Sequence, residues 1–225
     1  MHFNFLSLRT FVTFMQRSAV LLCGLMTISV GSVLSYRSNM GLGPWDVLHQ
    51  GLSLHLPVSF GEASIVAGLF VVLFGLLLGV RPGFGTVCNM ILCGVFVDLL
   101  LRANWLGNLP QQGFMLRLLV DVVGILIMGL GTALYIAPHL GAGPRDGLML
   151  RLHKLTHRRI ALVRGGIECS ALLIGILLGG HFGFGTLLFA LGIGPVIEWS
   201  SKGLEAIHLH SIDIATVRHH LTARS

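Results

Sequence analysis

Charge is what this chain has least of: Asp, Glu, Lys and Arg together make up 11% of its 225 residues, under half of the share of about 25% found in soluble domains. A chain so short of charge cannot coat a water-facing surface, which excludes an ordinary soluble fold. Four cysteines without a C-x-x-C pair are too few for a disulfide scaffold. No G-x-y period runs through the chain, and its hydrophobicity is too high for disorder. The eleven histidines include His153 and His157 four apart and His208, His210, His219 and His220 near the end. No H-E-x-x-H or Cys/His cluster accompanies them, so neither a metal site nor a cofactor is expected. Phosphate loops, nucleophile elbows and paired carboxylates are also missing, and with them the signature of an enzyme.

What the chain does have is apolar mass, with 54% hydrophobic residues and 30 glycines besides. That combination predicts an all-α integral membrane protein. Charge is missing from residues 18–36, 63–80 and 182–197, while 86–101 carries only Asp98, 118–137 only Asp121, and 160–180 only Arg164 and Glu168. Crossing about 30 Å of hydrocarbon at about 1.5 Å per residue takes about 20 residues, so six transmembrane helices are expected. The third and sixth are short, and their flanks must snorkel or be backed by protein. Arg164 and Glu168, four apart, neutralise each other on one face. Cys23, Cys88, Cys93 and Cys169 lie within spans and read as small buried hydrophobes.

Orientation follows from the basic residues. With the N-terminus in the cytoplasm, eleven Lys and Arg, from Arg9 to Arg224, fall inside and only Arg37, Arg102 and Arg117 fall outside. The positive-inside rule then puts both termini in the cytoplasm. The formal net charge of +6 needs no nucleic-acid partner, because basic residues beside anionic lipid account for it. Basic residues ahead of an apolar run also suit a signal peptide, but the repeat described next uses this segment as a structural part, so it is read as retained.

The most informative feature is an internal repeat at an offset of 100 residues. Gly41, Gly43, Pro44 and Asp46 recur as Gly141, Gly143, Pro144 and Asp146, and Gly83-Phe84-Gly85-Thr86 recurs as Gly183-Phe184-Gly185-Thr186. Residues 40–100 and 140–200 share sixteen identities without a gap, where composition alone would give about five. Upstream, Gly24, Gly31 and Leu34 match Gly124, Gly131 and Leu134, and such glycines, with Gly75, Gly79, Gly175 and Gly179, mark faces where helices approach closely. Three spans per unit force the second copy into the membrane upside down, the plan of many secondary transporters. Charge agrees, since the loop at 37–62 has one basic residue and its counterpart at 138–159 has five. The expected layout is a cytoplasmic segment at 1–17, repeats at 18–101 and 118–198, and a cytoplasmic basic tail at 199–225 that can form an amphipathic surface helix.

The G-x-G-P-x-D motif reads as a helix start, with Gly43 or Gly143 at the N-cap, proline at the first position, and Asp46 or Asp146 bonding back to the cap amide. About a dozen residues follow, too few to span, so each helix is expected to be interfacial or re-entrant. Its free amides and partial positive charge suit a polar or anionic solute. The candidate substrate-binding residues are therefore Gly43, Pro44, Asp46, Gly143, Pro144, Arg145 and Asp146, joined by Thr86 and Thr186, whose hydroxyls can cap the third span of each unit. Trp45, opposite Arg145 in the repeat, makes such a site asymmetric or serves as an interfacial anchor. Candidate carriers of a proton or coupling ion are Asp46, Asp146, Asp98 and Glu198, because intramembrane carboxylates are functional by default. Asp121 has Leu21 as its counterpart and is set aside. The structural alternative is that Gly and Pro turn the chain and Asp caps a helix, with no ligand.

The repeated G-x-G-P-x-D and G-x-G-T motifs resemble the YczE/YitT type of bacterial integral membrane protein over roughly residues 20–200. That resemblance implies a location in the bacterial plasma (inner) membrane and brings no substrate with it. The expected partners are the lipid bilayer and a small polar solute, with homo-oligomerisation left open. The expected function is secondary transport of that solute. The alternatives are a non-transporting scaffold for a biosynthetic or export system and, less well supported by the residues, a membrane enzyme.

Overall fold

A computed structural model describes the backbone of residues 5–104 and 106–222 and the side chains of residues 12–104 and 106–206. Arg9, the tail histidines and the basic residues Arg218 and Arg224 lie outside the described side chains. Eight α-helices and no strand occur among the described residues. They are α1 (Phe5–Ser38), α2 (Pro44–His55), α3 (Phe60–Leu77), α4 (Phe84–Ala103), α5 (Phe114–Ile136), α6 (Pro144–Thr156), α7 (Ile160–Leu177) and α8 (Phe184–Thr222), with a 3₁₀ turn at Leu109–Gln111 between α4 and α5. Six of them hold stretches long and apolar enough to cross a membrane: Val12–Ser38, Phe60–Leu77, Phe84–Ala103, Phe114–Ile136, Ile160–Leu177 and Phe184–Ala206. Their outer faces are studded with exposed Leu, Phe and Ile, among them Phe70, Leu77, Leu177 and Leu191. In water such a surface would aggregate, whereas in lipid it is the expected coat.

The third and sixth spans are longer than charge-free runs suggest. Asp98 and Arg102 ride on the last turns of α4, and Glu198 and Lys202 ride on α8, so the helices continue where the apolar stretches end. The backbone of α8 runs on unbroken to Thr222, through most of the stretch expected as a tail.

Packing repeats as the sequence does. The central pair is α1 against α5, with α4 on α1 and α8 on α5 as matching flanks, and α2 packs on α7 as α6 packs on α3. Glycine makes the central crossing close. A Cβ at Gly31 would lie 2.6 Å from the Gly124 carbonyl oxygen, and one at Gly124 would lie 2.9 Å from that of Gly31. Gly24 and Gly131 meet the facing helix equally closely, at Tyr135 and Ile28. With no hydrophobic force between helices in lipid, such backbone contact is what holds them.

The turns before the short helices lock reciprocally onto the other unit. Gly85 N donates to Leu140 O at 2.8 Å, and Gly185 N donates to Met40 O at 2.8 Å. Gly41 and Gly141 hold φ of +120° and +129°, a conformation open to glycine, at these crossings. Cys88 and Cys93 are half-buried, but Cys23 and Cys169 are exposed on the outer surface, contrary to the expectation that all four are interior.

Candidate functional site

Both short helices begin as the motif predicts, with Gly43 or Gly143 at the N-cap and proline in the first turn. The aspartates, however, do not return to the cap amide. Asp46 Oδ2 accepts from Ser32 Oγ at 3.0 Å, and Asp46 Oδ1 lies 3.3 Å from His49 Nδ1. Asp146 Oδ2 accepts from Tyr135 Oη at 2.7 Å, and Asp146 Oδ1 lies 3.9 Å from Arg145 Nε. A carboxylate released from capping and turned toward a neighbouring helix serves the space between helices.

That space is a cavity of about 170 Å³, reached by both turns. Gly43, Trp45, Asp46 and His49 line it from one unit, and Gly143, Pro144, Arg145 and Asp146 from the other. Polar side chains of Ser29, Ser32, Asn89, Thr132 and Tyr135 complete it, against an apolar side formed by Met128, Phe189 and Ile193. Trp45 Nε1 is buried and has no hydrogen-bond partner, so one donor at the wall is unspent. The ionisable side chains named here are two carboxylates, a guanidinium and an imidazole. Arg145 lies outside the six spans: burial alone pulls its pKa down, but Asp146 and the other acidic groups near it outweigh this and raise the group above its ordinary value. It therefore remains a cation.

The other sequence-picked residues have different placements. Pro44 is buried in the first turn of α2 and does not line the cavity. Thr86 and Thr186 are third residues of α4 and α8, not N-caps: their hydroxyls accept from Gly83 N at 3.1 Å and Gly183 N at 3.2 Å. Thr86 also donates to Ala142 O at 2.5 Å, so it fastens the second turn to the first unit. Asp98 holds the start of α3, accepting from Gly61 N at 2.8 Å and from Ser59 Oγ. Glu198 pairs with Lys202 at 2.7 Å on the surface, 64% exposed. Arg164 and Glu168 form the expected pair at 3.1 Å. Ser32, His49 and Tyr135 are site residues that the motifs missed. A hydroxyl or ring one or two turns from a glycine crossing was the available signal, but the facing helix decides whether it matters.

Six apolar helices around a small cavity that holds charged groups define a multi-pass integral membrane protein. The chain belongs to the family described as "Family of unknown function (DUF6198)", whose model matches residues 15–202. It is 38% identical over 181 residues to an uncharacterized protein of Haemophilus influenzae, covering 80% of this chain and 81% of that one. It is 33% identical over 180 residues to the uncharacterized membrane protein YczE of Bacillus subtilis, covering 79% and 81%. Identity to the uncharacterized protein YyaS of the same organism is 26% over 170 residues, covering 73% and 82%. The resemblance to YczE carried by the repeated motifs is thus met across most of the chain. No solved structure matches it.

Proposed function

We propose that this protein is a secondary transporter for a small polar solute, bound in the cavity between the two repeat units. The observation that carries the reading is convergence. Two turns 100 residues apart in sequence open on one shared cavity, each bringing a helix N-terminus and an aspartate. In this reading the units lie in the inner membrane with opposite orientation, α2 and α6 are re-entrant half-helices, and both termini are cytoplasmic. Three spans per unit and the excess of basic residues on one side support that arrangement.

The solute is small, since an apolar cavity of about 150 Å³ is already enough for benzene. An acidic group on it would meet Arg145 and the free amides of α6. A donor group would meet Asp46, which Ser32 and His49 orient. Asp46 and Asp146 differ in their partners, so the site reads the two ends of a solute differently. Loaded vesicles with and without the protein, compared by untargeted metabolite analysis, test the reading directly. Asp46→Asn and Asp146→Asn are expected to abolish uptake or efflux while each variant remains folded in the membrane. Full transport by both variants, or loss only in step with loss of folded protein, would overturn it.

A further inference from the structure

A second cluster of polar side chains, tightly buried, lies one turn along α1 from the solute cavity. Asp121 on α5 is 1% exposed, and Ser35 and Ser38 at the end of α1 are 2% and 0% exposed. Counting hydrogens there leaves a deficit. The one hydrogen of the Ser38 hydroxyl is claimed by Ser35 O at 2.7 Å, so its 3.3 Å approach to Asp121 Oδ1 is the weaker of two options. Asp121 Oδ2 and Ser35 Oγ make no hydrogen bond of good geometry, although the Ser35 hydroxyl lies within reach of the carboxylate. Asp121 Oδ2 and Gly41 O both press on the Gly185 backbone, where a Cβ would lie 2.5 Å and 2.7 Å from them, so a carboxylate and a carbonyl oxygen are near neighbours. The carboxylate and the carbonyl can only accept, and they lie beside the C-terminal, electronegative end of α1.

No ion pair reaches Asp121 among the described residues. Arg117, one turn away on α5, spends its guanidinium on Ser38 O at 2.7 Å and on Asn39 O. Arg37 on α1 donates to Leu101 O, and Arg17 stands two helical stretches away at the other end of α1. On α8, Gly185 and Thr186 face the cluster, while Glu198 and Lys202 are occupied with each other.

The repeat supplies an internal control. The positions matching Asp121 and Ser35 are Leu21 and Tyr135, and these pack together with Leu25, with the Tyr135 hydroxyl directed to Asp146. Leucine fills the place of the aspartate in the other unit, so Asp121 is no requirement of the architecture. Burying it unpaired is costly.

We propose that Asp121, Ser35, Ser38 and the Gly41 carbonyl form a site for one monovalent cation, a proton or Na⁺. Its place beside the cavity suits a coupling ion: Ser32, which bonds Asp46, and Ser35 are about 4.5 Å apart along α1. That coupling role rests on the transport reading, whereas the cation site itself does not.

The test uses the full chain in detergent, with thermal unfolding followed in NaCl, KCl and choline chloride at equal ionic strength. Proton uptake on acidification is measured separately in Na⁺-free buffer. A saturable upward shift specific to Na⁺ in the native protein, lost in Asp121→Asn, identifies Na⁺. No Na⁺ shift, with one fewer proton taken up by Asp121→Asn than by the native protein, identifies the proton. Ser35→Ala keeps the carboxylate and is expected to fold, with the cation response weakened severalfold, so the test stands if Asp121→Asn does not fold. A native protein whose Na⁺ response and proton uptake are matched by every folded variant overturns the proposal. Loss of the cation response in the variants, with no solute transport by native protein, keeps the site and removes the transport reading.

Discussion

At the scale of single residues, the carboxylates divide by what their oxygens touch. Asp46 and Asp146 face the cavity, whereas Asp98 ties α4 to the first turn of α3 through Gly61 N and Ser59 Oγ. Asp98→Ala removes an anchor of buried backbone and should cost about 1–3 kcal/mol of stability, seen as a lower unfolding temperature in detergent. Transport per folded molecule should stay at the native level; a folded variant with normal stability and no transport would instead make Asp98 part of the pathway. The sequence made the motif aspartates legible because both copies keep them. That same logic demoted Asp121, whose counterpart is Leu21, and it was silent on Ser32, His49 and Tyr135. Repetition picks out what the shared architecture needs, but an asymmetric site is made by the positions at which the copies differ, and those have no sequence partner to reveal them.

At the scale of elements, glycine decides which helices touch. Gly24, Gly31, Gly124 and Gly131 were readable as close-approach positions because they fall at matching places in both units, and they form the α1–α5 crossing. Gly166, on α7, has Val66 as its counterpart, and nothing lies within 4 Å of a Cβ built there. The two should respond oppositely to the same change. Gly31→Ala drives a methyl group into Gly124 O and Met128 N, and overpacking of this kind costs about 1–3 kcal/mol. Gly166→Ala meets open space and gains up to about 1 kcal/mol of helix propensity. Unfolding temperatures of the two variants check this, and equal responses would mean that α1 and α5 do not cross through glycine. Helix ends were the least legible feature, since α4 carries Asp98 and Arg102 on its last turns, α8 carries Glu198 and Lys202 along its length, and both outrun the charge-free stretches.

At the scale of the whole molecule, the reciprocal contacts constrain topology. The turn at Gly41 grips the start of α8 and the turn at Gly141 grips the start of α4, so the two units are related by an exchange of partners. If that exchange is a two-fold axis in the membrane plane, α2 and α6 enter from opposite faces and their far ends emerge on opposite sides. His55 and His157, which close those helices, are suitable markers. In a background with Cys23, Cys88, Cys93 and Cys169 replaced by serine or alanine, His55→Cys should react with an impermeant maleimide from outside intact cells. His157→Cys should react only after the membrane is opened, since the positive-inside rule assigns an end flanked by five basic residues to the cytoplasm. Labelling of both from one side would mean parallel units. The cavity would then be reached from a single face, and a space with one entrance binds a solute without carrying it across.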